Sequence, residues 1–149
     1  MADTRVQLEA EDWVRREWMP TAFGQSFRRE RLRLSSGGVF DFDAVSADNS
    51  IAATISTSGA STASGKNAAA KLQKIRADML FLLLVKDVER RIVVLTEHDM
   101  YERCLKEKRD GRAPASIEFY HAELPAELVT RLQASRKSAS KEVSRLHGQ

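Results

Sequence analysis

The chain has 149 residues, 42% of them hydrophobic and 30% charged, with a formal net charge of +3. That balance excludes a large multidomain enzyme, a collagenous repeat and a disordered chain, and predicts one packed domain over 1–149. The longest apolar run, Met79 to Val85, is seven residues, far short of the ~20 that cross a bilayer; with acids at Asp3, Glu9 and Glu11 and a lone Cys104, the expectation is a cytoplasmic protein with no membrane partner and no internal disulfide.

Thr4 and Gln7 have capping-box spacing, and Val6, Ala10, Trp13, Val14 and Trp18 recur at helical intervals until Pro20, which predicts a first helix over about 4–19. Phe27 to Leu34 has strand length and precedes a Ser-Ser-Gly-Gly turn at 35–38. Val39–Val45 and Ile51–Thr57 are β-prone runs joined through Asp48 and Asn49, residues that tolerate the positive φ of a tight hairpin. The small, hydroxyl-bearing stretch from Thr57 to Gly65 reads as a functional loop. It fails as a phosphate-binding P-loop, because five residues separate Gly59 from Gly65 and Asn67 follows Lys66. From Lys66 onward, Leu72, Ile75, Met79 and Leu82 line one helical face, with Lys71, Lys74 and Asp78 opposite. Arg91 to Thr96 reads as a strand buried on both faces and parallel to a neighbour. Glu97–Arg109 reads as a helix, Ser116–Ala122 as a fifth strand, and Pro125 opens a last helix.

The order α-β-β-β-α-β, then α-β-α, predicts an α/β fold built on a mixed sheet, with a core over 4–96 and an α-β-α extension over 97–149. Charge is unevenly divided. Residues 1–60 carry 7 Arg and 9 acids, and residues 61–149 carry 17 Lys and Arg against 12 acids, so the basic excess lies in the second half. A turn centred on Asp48 and Asn49 sets Asp43 opposite Thr54, Asp41 opposite Ser56 and Val45 opposite Ala52 on one face, leaving Phe40, Phe42, Ala44, Ile51, Ala53 and Ile55 to the core.

The run from Phe42 to Ser56, with an Asp on the second strand, a short turn and a third strand between two helices, resembles the core motif of the restriction-endonuclease-like, or PD-(D/E)xK, nuclease superfamily. The resemblance implies that fold, a metal-binding Asp at Asp43, a second acid at the position of Thr54 and a lysine at the position of Ser56. In such nucleases the carboxylates hold Mg²⁺ while the lysine positions the attacking water. Neither Thr54 nor Ser56 can replace its counterpart, which implies a catalytically impaired pseudoenzyme with no cofactor. The alternative is an active Mg²⁺-dependent nuclease with migrated groups: Asp41 as second carboxylate, Lys66 or Lys71 as the cation, and Glu11 or Glu17 from the first helix. A third reading is a structural or regulatory module, a homodimer or a protein partner.

If the chain binds DNA or RNA, the phosphate contacts expected are Arg29, Arg31 and Arg33 on the first strand, Lys66, Lys71 and Lys74 on the helix, and Arg131, Arg136, Lys137 and Lys141 in the tail. The bland counterpart is solvated surface charge. His98, His121 and His147 show no metal-ligand spacing and read as surface residues, and Cys104 as a small buried hydrophobe.

Overall fold

The computed structural model describes the backbone of residues 4–60 and 69–147, and side chains among these up to 137. A helical run opens the chain: α1 (Thr4–Trp13), a π-helical turn (Val14–Trp18) and α2 (Met19–Phe23). Three strands follow, β1 (Phe27–Arg33), β2 (Val39–Ser46) and β3 (Ile51–Ser56). Then come α3 (Ala69–Leu84), β4 (Arg90–Leu95), α4 (His98–Arg109), β5 (Ile117–His121) and α5 (Ala126–His147). The first helical run extends past the expected stop at Pro20. Pro20 directly follows the π-helical turn, whose wider coil carries the run past the lost N–H, and Gly24 ends the run at a φ of 75°. Among the described residues no helix is long and apolar enough to cross a membrane.

The five strands form one mixed sheet in the order β1-β2-β3-β4-β5. β1–β2 and β2–β3 are antiparallel, whereas β3–β4 and β4–β5 are parallel. One face packs Val6, Ala10 and Val14 of the first helix with Leu128 and Leu132 of α5; the other packs Leu72, Ile75, Met79 and Leu82 of α3 with Met100 and Cys104 of α4. Val93 and Leu95 point to the second layer and Ile92 and Val94 to the first. β4 is buried on both sides, as its uninterrupted apolar run requires.

The hairpin begins in the expected register, with Val45 against Ala52 and Ala44 against Ala53. There the β2–β3 ladder stops, and the expected pairs Asp43–Thr54 and Asp41–Ser56 are not formed. The cause is a bulge in β2. Between Arg28–Val45 and Glu30–Phe42, β1 advances two residues while β2 advances three. Phe42 and Val45 consequently both face α3, three positions apart, while Ala44 faces the first helix. The expected common face for Phe40, Phe42 and Ala44 is therefore broken, because one extra residue reverses the pleat.

Candidate functional site

Asp43 occupies the bulge where β2 and β3 separate. Its Oδ2 accepts a hydrogen bond from the Ile55 main-chain N–H at 2.8 Å, standing in for a main-chain acceptor. The acid beside it is Glu11 of α1, joined to it by a side-chain hydrogen bond. Burial pushes the Asp43 carboxyl up to about 7 against the opposing Ile55 bond, and the charges of Glu11 and Asp78 push the same way as burial. Burial also raises the Asp78 carboxyl of α3, with Lys74 at 3.5 Å lowering it.

The positive charge at this site comes from Arg15. It is only 8% exposed. Its guanidinium donates to the main-chain carbonyl of Asp43 at 2.7 Å, to Glu11 Oε1 at 2.8 Å and to Asp12 Oδ1 at 3.3 Å. Arg15 lies inside the π-helical turn, Val14–Trp18, where the wider coil departs from the regular 3.6-residue repeat of α1 and sets the direction in which the long side chain leaves the helix. Glu11 and Arg15 are also one turn apart, so the helix presents a carboxylate and its counter-ion together. A cleft of about 630 Å³ opens beside them, lined in part by Glu11, Asp12, Arg15, Arg28 and Arg29.

This donor set does not fit a Mg²⁺ centre. One Glu11 carboxylate oxygen and the Asp43 carbonyl already accept bonds from a guanidinium, and Oδ2 of the Asp43 carboxyl accepts the Ile55 N–H. Among the described residues no three His, Cys, Asp or Glu side chains converge on one point. Magnesium needs six oxygen donors in near-octahedral order and binds through carboxylates whose charge is free.

Asp41, expected to rescue the site, belongs elsewhere. It lies on the exposed side of β2 and is held by Arg31, whose Nε is 2.8 Å from Asp41 Oδ1, and that guanidinium keeps its carboxyl below the usual range. The bulge between Phe42 and Val45, which contains Asp43, breaks the alternation on which the expected shared face of Asp41 and Asp43 depends. Thr54 is 2% exposed and paired with Val93 of β4, whereas Ser56 closes β3, its Oγ accepting from the Ser58 N–H at 3.3 Å. Glu17 is exposed in the π turn. Lys66 falls outside the described residues, as does the side chain of Lys141.

The expected phosphate contacts divide into two groups. Four are engaged in ion pairs: Arg31 with Asp41, Lys74 with Asp78, Arg131 with Glu9 and Arg136 with Glu97. Arg29, Arg33, Lys71 and Lys137 are exposed and, among the described residues, in no ion pair. Cys104 is 2% exposed, and burial pushes its thiol up to about 11.

Arg15 and Asp78 are not among the site residues that the sequence singles out. The spacing of Glu11, Asp12 and Arg15 is a visible signal for an i, i+4 ion pair, but it does not distinguish an exposed pair from a buried one. Periodicity puts Asp78 on the outer side of its helix, yet its side chain is only 15% exposed. Of the two acids expected from the first helix, Glu11 is the one that stands beside Asp43. No family model, curated protein or solved structure matches this chain.

Proposed function

We propose that this chain is a nuclease-like scaffold that binds nucleic acid without cutting it. The observation that carries the reading is Arg15, a buried guanidinium at the spot where the resemblance calls for a metal ion. A guanidinium neutralises neighbouring acids and holds them in place, but it cannot lower the pKa of a bound water as a divalent ion does. Asp43, pushed up to about 7 by burial, supplies less than a full negative charge at neutral pH. Thr54 and Ser56 add neither carboxylate nor amine.

The binding half of the reading rests on β1, the outermost strand. Arg29, Arg31 and Arg33 alternate along it and are all exposed. Charged side chains on an edge strand also prevent pairing with another sheet. Edge protection, however, does not call for three cations on one face beside a 630 Å³ cleft lined by Arg15, Arg28 and Arg29. Lys71 on α3 and Lys137 on α5 are further exposed cations.

The test is fluorescence anisotropy of a short labelled oligonucleotide, titrated from about 50 to about 200 mM salt. Affinity should fall at least tenfold over that range, and the double substitution Arg29→Glu with Arg33→Glu should flatten the logarithmic salt slope by about 1.5 to 2, the loss of two phosphate contacts. Incubation with plasmid or RNA in Mg²⁺ or Mn²⁺ should leave the substrate intact. Cleavage that disappears in Asp43→Ala would make the chain an active nuclease, and no binding at low salt would remove nucleic acid as the partner. A second reading, self-association, is favoured by Leu80 and Leu83, which are 53% and 43% exposed one turn apart on α3. Sedimentation equilibrium decides it.

A further inference from the structure

Strand directions bring the ends of three parallel strands together. β3, β4 and β5 are parallel and finish at one end of the sheet, at Ser56, Leu95 and His121, whereas the tip of the β1–β2 hairpin turns away from it, with the Arg33 carbonyl accepting from the Lys86 N–H at 3.3 Å and Leu34 bridging Val85 beyond α3. The carboxyl ends of parallel strands are where open α/β sheets commonly hold ligands.

At the β5 edge of this end stands a cluster of three rings. His98 and Tyr101, in the first turn of α4, meet His121, the last residue of β5. The ring centroids are 5.4 Å apart for His98–His121, 5.7 Å for Tyr101–His121 and 6.3 Å for His98–Tyr101. The His98 side chain is 67% exposed and pairs with Glu102 at 3.2 Å. His121 Nε2 lies 3.3 Å from the Thr96 carbonyl oxygen, which fixes the ring against the end of β4. The helix α5 is tied to the same end by Arg136, which bonds Glu97 Oε1 at 2.5 Å and the Thr57 carbonyl, and the next residue, Lys137, is an exposed cation in no ion pair among the described residues. Neither core contains any of the three rings among its buried residues, and Tyr101 alone packs against the second core.

The geometry points to a base-stacking platform: His98, Tyr101 and His121 receive unstacked bases of a single-stranded nucleic acid whose backbone passes Lys137 at the carboxyl end of the sheet. The platform deepens the nucleic-acid reading and rests on it. It selects single strands because bases in a duplex are already stacked on one another and cannot present their faces to protein rings, whereas a single strand can lay successive bases on aromatic side chains while its phosphates meet cations. Rings and cations play separable roles. Stacking adds affinity that salt barely changes, and phosphate contacts set the salt slope.

Anisotropy with a fluorescein-labelled oligothymidine and with a duplex of the same length separates these possibilities. The protein should prefer the single strand. His98→Ala, exposed and safe for folding, should weaken single-strand binding several-fold, and Tyr101→Leu, which keeps an apolar side chain against the core, roughly five- to hundredfold per lost base contact, both with the salt slope unchanged. Lys137→Glu should lower the slope instead. Circular dichroism of each variant confirms that the fold is retained. If the wild type binds the single strand and both ring variants bind it equally well, the platform is refuted while the nucleic-acid reading stands; a preference for duplex has the same consequence. If the wild type binds neither probe at low salt, both readings fall together.

Discussion

Two aspartates five positions apart on one hairpin, Asp43 and Asp48, carry opposite electrostatics. Asp48 sits exposed in the turn, where one carboxylate oxygen accepts the Ser46 hydroxyl at 2.8 Å, the Ser50 N–H at 3.0 Å and the Ser50 hydroxyl at 2.7 Å. Those bonds, the Ser50 hydroxyl foremost, hold its carboxyl down to about 2. Asp43 sits where the strands part, between helices, and burial pushes it up to about 7 against its single bond from Ile55. The same side chain is thus made strongly acidic by short-range bonds at the closed end and held partly neutral by desolvation at the open end. The closed end serves the fold, and at the open end Arg15 pairs with Glu11 and the Asp43 carbonyl while burial favours the protonated Asp43 carboxyl.

Arg15 should give the largest effect in any attempt to collapse this difference. Arg15→Met leaves Glu11 and the Asp43 carbonyl without their donor in a site where the paired side chains are 10% and 17% exposed. A loss of about 3–5 kcal/mol in urea unfolding is expected, as for a buried pair deprived of one partner. An unchanged midpoint would show that the cation does not hold the acids.

Asp43→Asn comes next. The wild-type carboxyl is raised in the folded state, so the native protein keeps a proton that the unfolded chain releases. Its contribution is complete below about pH 4 and is lost as pH rises to about 7. Thermal unfolding of the wild type should weaken across that window, by on the order of 2–4 kcal/mol. The amide oxygen of the substituted side chain still accepts from the Ile55 N–H, so the variant should lose this limb and be the more stable protein at pH 8. A parallel decline in both proteins would assign the window to other groups.

The smallest effect belongs to Asp48→Asn. The Asp48 carboxyl is depressed in the fold, so its contribution is present above about pH 4 and disappears as pH falls toward 2. The variant should lack that acid limb and keep the higher one, the reverse of Asp43→Asn. Paired thermal melts from pH 2 to pH 8 read both limbs in one series.

The turn itself is legible in the sequence. Asp48 and Asn49 identify it by composition, Asn49 takes the positive φ of 62°, and the alternation of Val45, Ala44, Ala53 and Ala52 sets the register beyond it. The core face of α3 and the doubly buried β4 follow from apolar periodicity. The departure of β2 from that periodicity is not legible, because a bulge consists of one unremarkable residue too many. Its consequences are specific: Asp41 turns to Arg31, and Asp43 is left to Glu11. The platform rings are equally hidden. His98 and Tyr101 share a helical face in the sequence, but His121 joins them only because β5 adds parallel to β4.

The amino-acid sequence alone determined the succession of elements, the mixed character of the sheet, the apolar faces and the hairpin turn, since each depends on residues within a few positions of one another. The tertiary structure decided which acid stands beside Asp43, that a guanidinium bonds Glu11 and the Asp43 carbonyl, and that three rings meet at the sheet's carboxyl end. Those outcomes depend on desolvation and charge, which act between groups brought together from distant parts of the chain and therefore have no period or spacing to reveal them.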